Sequence, residues 1–259
     1  MSAAGVLEIR RLTKRYGGTI AVDDVSFVVR PGEILGYIGP NGAGKSTTVK
    51  MIIGMVEPSD GRILYQGRSV IDDLPGFQRR LGYVPEEPNL YPFLSGREYL
   101  QLAGRLRGLD AAALDHKVEK FLRLFSLWDD RDCPVSSYSK GMRQKILLSA
   151  ALLHDPEILI FDEPLSGLDA NTIIAVRELL KGLAASGKTI LYSSHLLDVM
   201  EKVCSRVVIL RKGRVVADDS IERLREQMDQ SSLEGVFSRV TQETGARDVT
   251  GGILEAMRL

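Results

Sequence analysis

The chain has 259 residues, 44% of them hydrophobic, which suits one large or two small globular domains with a buried core. Its 34 Lys and Arg balance its 34 Asp and Glu, so no net field draws it onto nucleic acid or an anionic membrane surface. The two cysteines, Cys133 and Cys204, have neither a disulfide-framework nor a metal-ligand spacing and read as reduced thiols of a cytosolic protein. The first residues lack the basic and then apolar blocks of a secretory signal. Apolar runs such as Ile146 to Leu153 stop well short of the roughly 20 residues that a membrane span needs. The expected location is the cytosol, with any membrane role borrowed from a partner.

In chain order, the short β-rich runs Val6 to Leu12, Val25 to Val29 and Arg62 to Gln66 are punctuated by turns at Pro31-Gly32 and Asp60-Gly61. They predict antiparallel strands beside a core. Between them the apolar run Glu33 to Ile38 leads into Gly39-Pro40-Asn41-Gly42-Ala43-Gly44-Lys45-Ser46-Thr47 and then Thr48 to Ile53. This is strand, glycine loop, helix. Glycines at that spacing let successive backbone N–H groups curl around a polyphosphate, and the helix that follows points its partial positive end at the same place. Lys45 is placed to reach the terminal phosphates, and the Ser46 hydroxyl to ligate Mg²⁺.

From Gly96 to about Leu153 the pattern is helical, with Tyr99, Leu100, Ala103 and Leu106, then Val118, Phe121, Leu122 and Phe125, recurring at steps of three and four. Buried-strand character returns at Ile158 to Phe161 and Thr189 to Tyr192, each after a helical stretch, which is the rhythm of a parallel α/β sheet. Val207 to Leu210 and Arg214 to Ala217 flank Lys212-Gly213 as a hairpin, and Ile221 to Met228 reads as a short helix. The last thirty residues are weakly patterned. The expected organisation is one catalytic unit over 1–220, with a helical subdomain at about 89–155, and a small C-terminal extension over 221–259.

The strand Ile158 to Phe161 ends in Asp162-Glu163-Pro164, and a buried strand that finishes on two carboxylates faces something cationic or reactive. Beside a phosphate loop, Asp162 is read as holding Mg²⁺ with Ser46, and Glu163 as orienting and polarising the water that attacks the γ-phosphate. The alternative is that both acids start a loop and Asp162 caps the next helix.

With these motifs in this order, the chain resembles the nucleotide-binding subunit of an ATP-binding cassette (ABC) transporter from about Leu7 to Ala217. Ser166-Gly167-Leu168-Asp169 resembles the family's D-loop, and Ser193-Ser194-His195 its switch histidine. Tyr16 stands where the family stacks an aromatic ring on adenine. Tyr138-Ser139-Lys140-Gly141-Met142-Arg143-Gln144 is similar to the signature segment, keeping Ser139 and Gly141 and placing Lys140 where the family has its first glycine. A plain serine N-cap is physically the same feature without the ligand. Glu86, in Tyr83-Val84-Pro85-Glu86-Glu87, occupies the position of the Q-loop glutamine, where a carboxylate strengthens cation coordination but repels phosphate oxygens. It reads either as a Mg²⁺ ligand or as a solvated loop acid.

The resemblance implies a P-loop NTPase with a mostly parallel core sheet, an antiparallel β-subdomain and a helical insertion. It implies ATP hydrolysis with Mg²⁺, Lys45 and His195 on the γ-phosphate, Glu163 assisting the water, and Ser46, Asp162 and Glu86 around the cation. It further implies head-to-tail pairing, as a homodimer or with a similar subunit, so that Ser139, Gly141, Met142 and Asp169 of one copy close over the ATP of the other. The variant motifs, with the tail Ser232 to Phe237, are similar to the branch that serves a separate multi-span permease of the ABC-2 exporter type. Gly235 departs from that branch's second glutamate. The chain is then expected on the inner face of the membrane, held by the permease, with no nucleic-acid partner. Tyr91 and Phe93, in an apolar loop before the insertion, either face the permease or plug the insertion's own core. The rival readings are a soluble ATP-switched interaction protein and a switch that binds ATP without turnover.

Overall fold

The structure, a computed structural model, describes residues 6–165 and 167–241. Ser166 of the predicted D-loop and the predicted extension beyond residue 241 lie outside the described residues. The first part of the chain forms β1 (Leu7–Tyr16), β2 (Thr19–Val29), β3 (Ile34–Ile38), α1 (Lys45–Ile52), β4 (Asp60–Tyr65), β5 (Arg68–Ser69), α2 (Leu74–Arg79) and β6 (Leu81–Val84). The insertion supplies α3 (Gly96–Leu106), α4 (Ala111–Leu124) and α5 (Lys140–Leu152). Then come β7 (Ile158–Asp162), α6 (Ala170–Ala185), β8 (Thr189–Ser193), α7 (Leu197–Val203), β9 (Arg206–Arg211), β10 (Arg214–Ser220), α8 (Ile221–Met228) and α9 (Leu233–Thr241).

These strands make two sheets. One is antiparallel, in the order β2-β1-β4-β5, and the other runs β10-β9-β3-β8-β7-β6 with every neighbouring pair parallel except the edge pair β9–β10. Alternation along the core strands divides the interior. Ile38, Leu159, Phe161, Ile190 and Tyr192 face one side, against α5, α6, α7 and the two C-terminal helices. Leu35, Tyr37, Ile158, Ile160 and Leu191 face the other, against α1 and the antiparallel sheet. Burial on both faces is why β3, β7 and β8 read as unbroken apolar runs. The insertion has a core of its own, built from Leu100, Leu114, Val118, Leu122, Tyr138 and Ile146. Its entry helix α3 is set by a capping box, Ser95 Oγ accepting from Glu98 N and Glu98 Oε2 accepting from Ser95 N.

Two predicted elements differ from the structure. The first hairpin is longer than its apolar runs suggested, reaching Tyr16 and restarting at Thr19, because Arg11 and Asp24 sit at positive φ and the register shifts around Leu12. Such bulges break the two-residue period on which a strand is recognised. The tail is not featureless either: Leu233 and Val236 are buried and Phe237 and Val240 pack beside them. Residues 233, 236, 237 and 240 are an i, i+3, i+4, i+7 stripe, so the helical signal was present but only two turns long. Glu201 of α7 fastens this unit, pairing with Arg225 of α8 at 3.1 Å and accepting from Leu233 N at the start of α9 at 3.2 Å.

Candidate nucleotide site

The glycine loop leaves the end of β3 and enters α1. Gly42 and Gly44 take φ of 76° and 104°, a region that side chains disfavour. At Gly44 a Cβ atom would also lie 2.5 Å from Ala21 O, and at Gly39 one would lie 2.6 Å from Leu210 O. The cradle is therefore closed from behind by β2 and β9, while at Gly42 nothing lies within 4 Å of where a Cβ would be. The tip of the β9–β10 hairpin braces it: Gly213 N donates to Ala43 O at 3.0 Å, Gly213 O accepts from Asp23 N at 2.8 Å, and Arg214 pairs with Asp23 at 2.6 Å. Within the loop Ala43 N donates to Pro40 O, and Lys45 Nζ donates to Gly39 O at 2.6 Å and Pro40 O at 3.3 Å. The ammonium is thus folded back over its own loop. Thr48 fixes the start of α1, donating to Gly44 O and accepting from the buried Tyr37 hydroxyl at 3.0 Å. Asn41, Gly42 and Ser46 are exposed, with Thr47 half-buried in the first turn, where helix N–H groups lack intrahelical partners.

The acids arrive from two strands away. In the order β3-β8-β7, Asp162 at the end of β7 lies in register with Ser193 at the end of β8. Asp162 and Glu163 are only 5% and 8% exposed. Burial, with Glu86 and Glu163 adding to it, pushes the Asp162 carboxyl up to about 6, while the Ser193 side chain and, less strongly, Lys45 pull the other way. Lys45 is itself lowered by burial, against the attraction of Glu163, Asp162 and Glu86. Tyr83 is pushed up to about 12 by burial, with Asp162 and Glu86 contributing. Glu86, although exposed, therefore acts on the same field as the buried acids. Three carboxylates thus act on one ammonium.

This donor set fits a hard cation in part. Asp162 and Ser46 offer oxygen ligands, and the acid excess favours a positive charge. Among the described residues no group of three His, Cys, Asp or Glu side chains converges to cage a metal alone. Mg²⁺ keeps water and phosphate oxygens in its shell and needs only one or two protein oxygens. The raised Asp162 sets a test of stability. Its folded pKa of about 6 lies above the reference 3.8, so folding disfavours the ionised form at pH 7 and the penalty fades as pH falls through that window. Asp162→Asn is expected to stabilise the ligand-free protein by about 2 kcal/mol at pH 7 and by little at pH 4, as read by denaturant titration. Equal effects at both pH values would show that the carboxylate is not strained.

Glu163 has φ of 51°, in the left-handed region that non-glycine residues seldom occupy. Its N–H donates to Ser193 O at 2.9 Å. The buried Ser194 hydroxyl donates to Glu163 Oε2 at 2.9 Å, and His195 Nδ1 lies 2.9 Å from the same oxygen. His195, predicted for a phosphate, thus rests on Glu163. Ser194 has no predicted role of its own, because a serine at a strand end carries no sequence signal of what faces it across the sheet. The same holds for Gln144. It is fully buried on α5, its Nε2 donates to Pro164 O at 3.1 Å, and its Oε1 has no partner among the described residues.

The remaining predicted residues form other patches. Tyr16, half exposed at the end of β1, has the Lys14 ammonium 5.1 Å from its ring centroid. Ser139 caps α5, accepting from Met142 N at 3.2 Å, and a Cβ at Gly141 would lie 2.8 Å from Gly167 O. Asp169 caps α6 by accepting from Thr172 N at 3.0 Å and lies 4.0 Å from Lys145. Signature and D-loop segments of one chain therefore touch each other. Among the described residues no hydrogen bond or ion pair joins Ser139, Gly141, Met142 or Asp169 to the glycine loop. Tyr91 and Phe93 are 64% and 91% exposed, so they do not plug the insertion. No helix among the described residues is long and apolar enough to cross a membrane.

Comparison with known proteins shows the family. The family model described as ABC transporter matches residues 22–166. The ABC transporter ATP-binding protein YhcH of Bacillus subtilis is 39% identical over 246 residues, covering 94% of this chain and 78% of its own. The Nod factor export ATP-binding protein I of Cupriavidus metallidurans is 37% identical over 213 residues, covering 82% of this chain and 70% of its own. A solved ATP-binding subunit of an ABC transporter superposes with a TM-score of 0.86 at 38% identity, covering 91% of this chain and 99% of that one. With the ABC ATPase fold, its glycine loop and its paired acids all in place, the chain belongs to the ABC transporter ATP-binding family and is an ATP-binding ATPase of that family.

Proposed function

We propose that the chain hydrolyses ATP as one half of a head-to-tail dimer and that the resulting opening and closing drive a separate membrane permease. The observation that carries this reading is the closed-backed glycine cradle at the end of β3 with the buried Asp162 and Glu163 at the end of β7, both acids within electrostatic reach of Lys45. Backbone N–H groups of residues 42–47 bind the phosphates, and Tyr16 stacks on the adenine. When ATP enters, Lys45 exchanges its loop carbonyls for phosphate oxygens. Ser46 and Asp162, with Glu86 nearby, would hold Mg²⁺, which would supply charge neutralisation for the phosphates. Glu163 orients the attacking water and accepts its proton, and His195 leaves Glu163 for the γ-phosphate.

Ser139, Gly141, Met142 and Asp169 have no part in their own chain's cradle, which supports their acting on the nucleotide of a facing copy. The exposed Tyr91 and Phe93, beside the Glu86 loop, offer the surface through which nucleotide state reaches the permease. Identity to a Nod factor export protein supports an exporter, and the variant motifs support an ABC-2 type permease on the cytoplasmic face. The pairing has a direct test. Glu163→Gln protein sedimented at saturating ATP and Mg²⁺ is expected to shift from monomer to dimer and to revert when Mg²⁺ is chelated. A strict monomer under those conditions, even with the permease supplied, would exclude the shared site.

A further inference from the structure

We infer that Ser194 is a positioning residue for the hydrolytic step, aiming the carboxylate of Glu163; this rests on the assignment of Glu163 as the group that handles the attacking water. A glutamate in a cleft has three rotatable side-chain bonds, and a general base works only when its oxygen stays within hydrogen-bond reach of the water. The backbone of Glu163 is held first: its φ of 51° is maintained by the bond from its N–H to Ser193 O. Gln144 holds the next residue by donating to Pro164 O, from a side chain buried in α5. The carboxylate is then held by Ser194, whose hydroxyl donates to Oε2 at 2.9 Å and is fixed in turn by accepting from Leu196 N at 3.1 Å. Ser194 is almost fully buried, so water does not compete for this bond.

The other contact to Oε2 is of a different kind. His195 lies at the same 2.9 Å, but its side chain is 70% exposed and has the freedom to swing away. Both contacts use Oε2, which leaves Oε1 without a partner among the described residues and free to face the water. The two neighbours thus divide the work. When His195 departs for phosphate, Ser194 is what keeps the carboxylate from turning.

Steady-state kinetics of three variants test this. Ser194→Ala is expected to lower kcat about tenfold or more while KM for ATP stays near that of the parent, because a misaimed base fails only in the transition state. Ser194→Thr, which keeps the hydroxyl, is expected to recover most of the rate. In single-turnover measurements, adding Ser194→Ala to Glu163→Gln is expected to cause no further loss, since there is no carboxylate left to aim. An unchanged kcat in Ser194→Ala, a rise in KM instead, or an additive loss in the double variant would overturn the inference. The site assignment is tested separately by Glu163→Gln alone. If that variant turns over normally, the assignment of Glu163 falls; if it is inactive and Ser194→Ala is normal, only the positioning role falls.

Discussion

Glu163→Gln is expected to reduce phosphate release by a factor of about 10² to 10⁴ while ATP binding stays within a few-fold of the parent. The substitution keeps the size of the side chain and an oxygen that can accept from the Ser194 hydroxyl, so the buried loop around it need not rearrange. It removes the capacity to accept a proton from the attacking water. It also removes one of three negative charges within reach of Lys45, and a triphosphate entering a less acidic site is not opposed by that loss. Binding and turnover should therefore separate. Phosphate release and equilibrium nucleotide titration on one preparation decide it. Normal turnover would place the water-handling group elsewhere, and loss of binding would make Glu163 a structural residue of the cradle. The same experiment rejects a switch that binds ATP without turnover, provided the parent protein hydrolyses.

The second large effect is expected at the back of the cradle. Gly44→Ala places a side chain at φ of 104° and its Cβ 2.5 Å from Ala21 O. Left-handed backbone costs an L-residue roughly 1–2 kcal/mol, and forcing an extra carbon into a packed site costs about 1–3 kcal/mol more. The obstacle is a main-chain carbonyl, which cannot rotate out of the way, so the loop or β2 must move. We expect about 3 kcal/mol of lost stability in denaturant titration and a loss of ATP affinity of about a hundredfold, because the displaced N–H groups are those aimed at the phosphates. Gly108→Ala is the control. Its φ of 76° carries similar strain, but nothing lies within 4 Å of the added carbon and it sits between α3 and α4 of the insertion. It should lose about 1 kcal/mol and leave nucleotide binding alone. Equal losses at both positions would mean that strain, not the closed back of the loop, is what glycine relieves.

Much of this protein was legible in its order of residues because the relevant physics is local. Whether a helix or a strand forms is decided by neighbours two to four positions away, so the apolar runs of β3, β7 and β8 and the stripes of α3 and α4 announced themselves. The glycine loop is local too, since backbone freedom at positions 42 and 44 and the onset of α1 are properties of nine consecutive residues. Signals failed where locality failed. Arg11 and Asp24 interrupt the period of the first hairpin, and α9 has too few turns to show its stripe unless one knows that α7 and α8 lie ready to cover it.

The sequence by itself thus determined most of the elements, the phosphate cradle and the presence of an acid pair at a strand end. Only the tertiary structure decided what those acids face. The strand order β9-β3-β8-β7 is chosen by the total burial of two opposite cores, a sum over distant residues that no short window contains. That order brings Ser194 and His195 onto Glu163 from 31 and 32 positions away, and sets Gln144 under Pro164 from another subdomain. It also keeps the signature serine at its own helix cap rather than at its own cradle, because α5 is committed to packing against the core and the insertion.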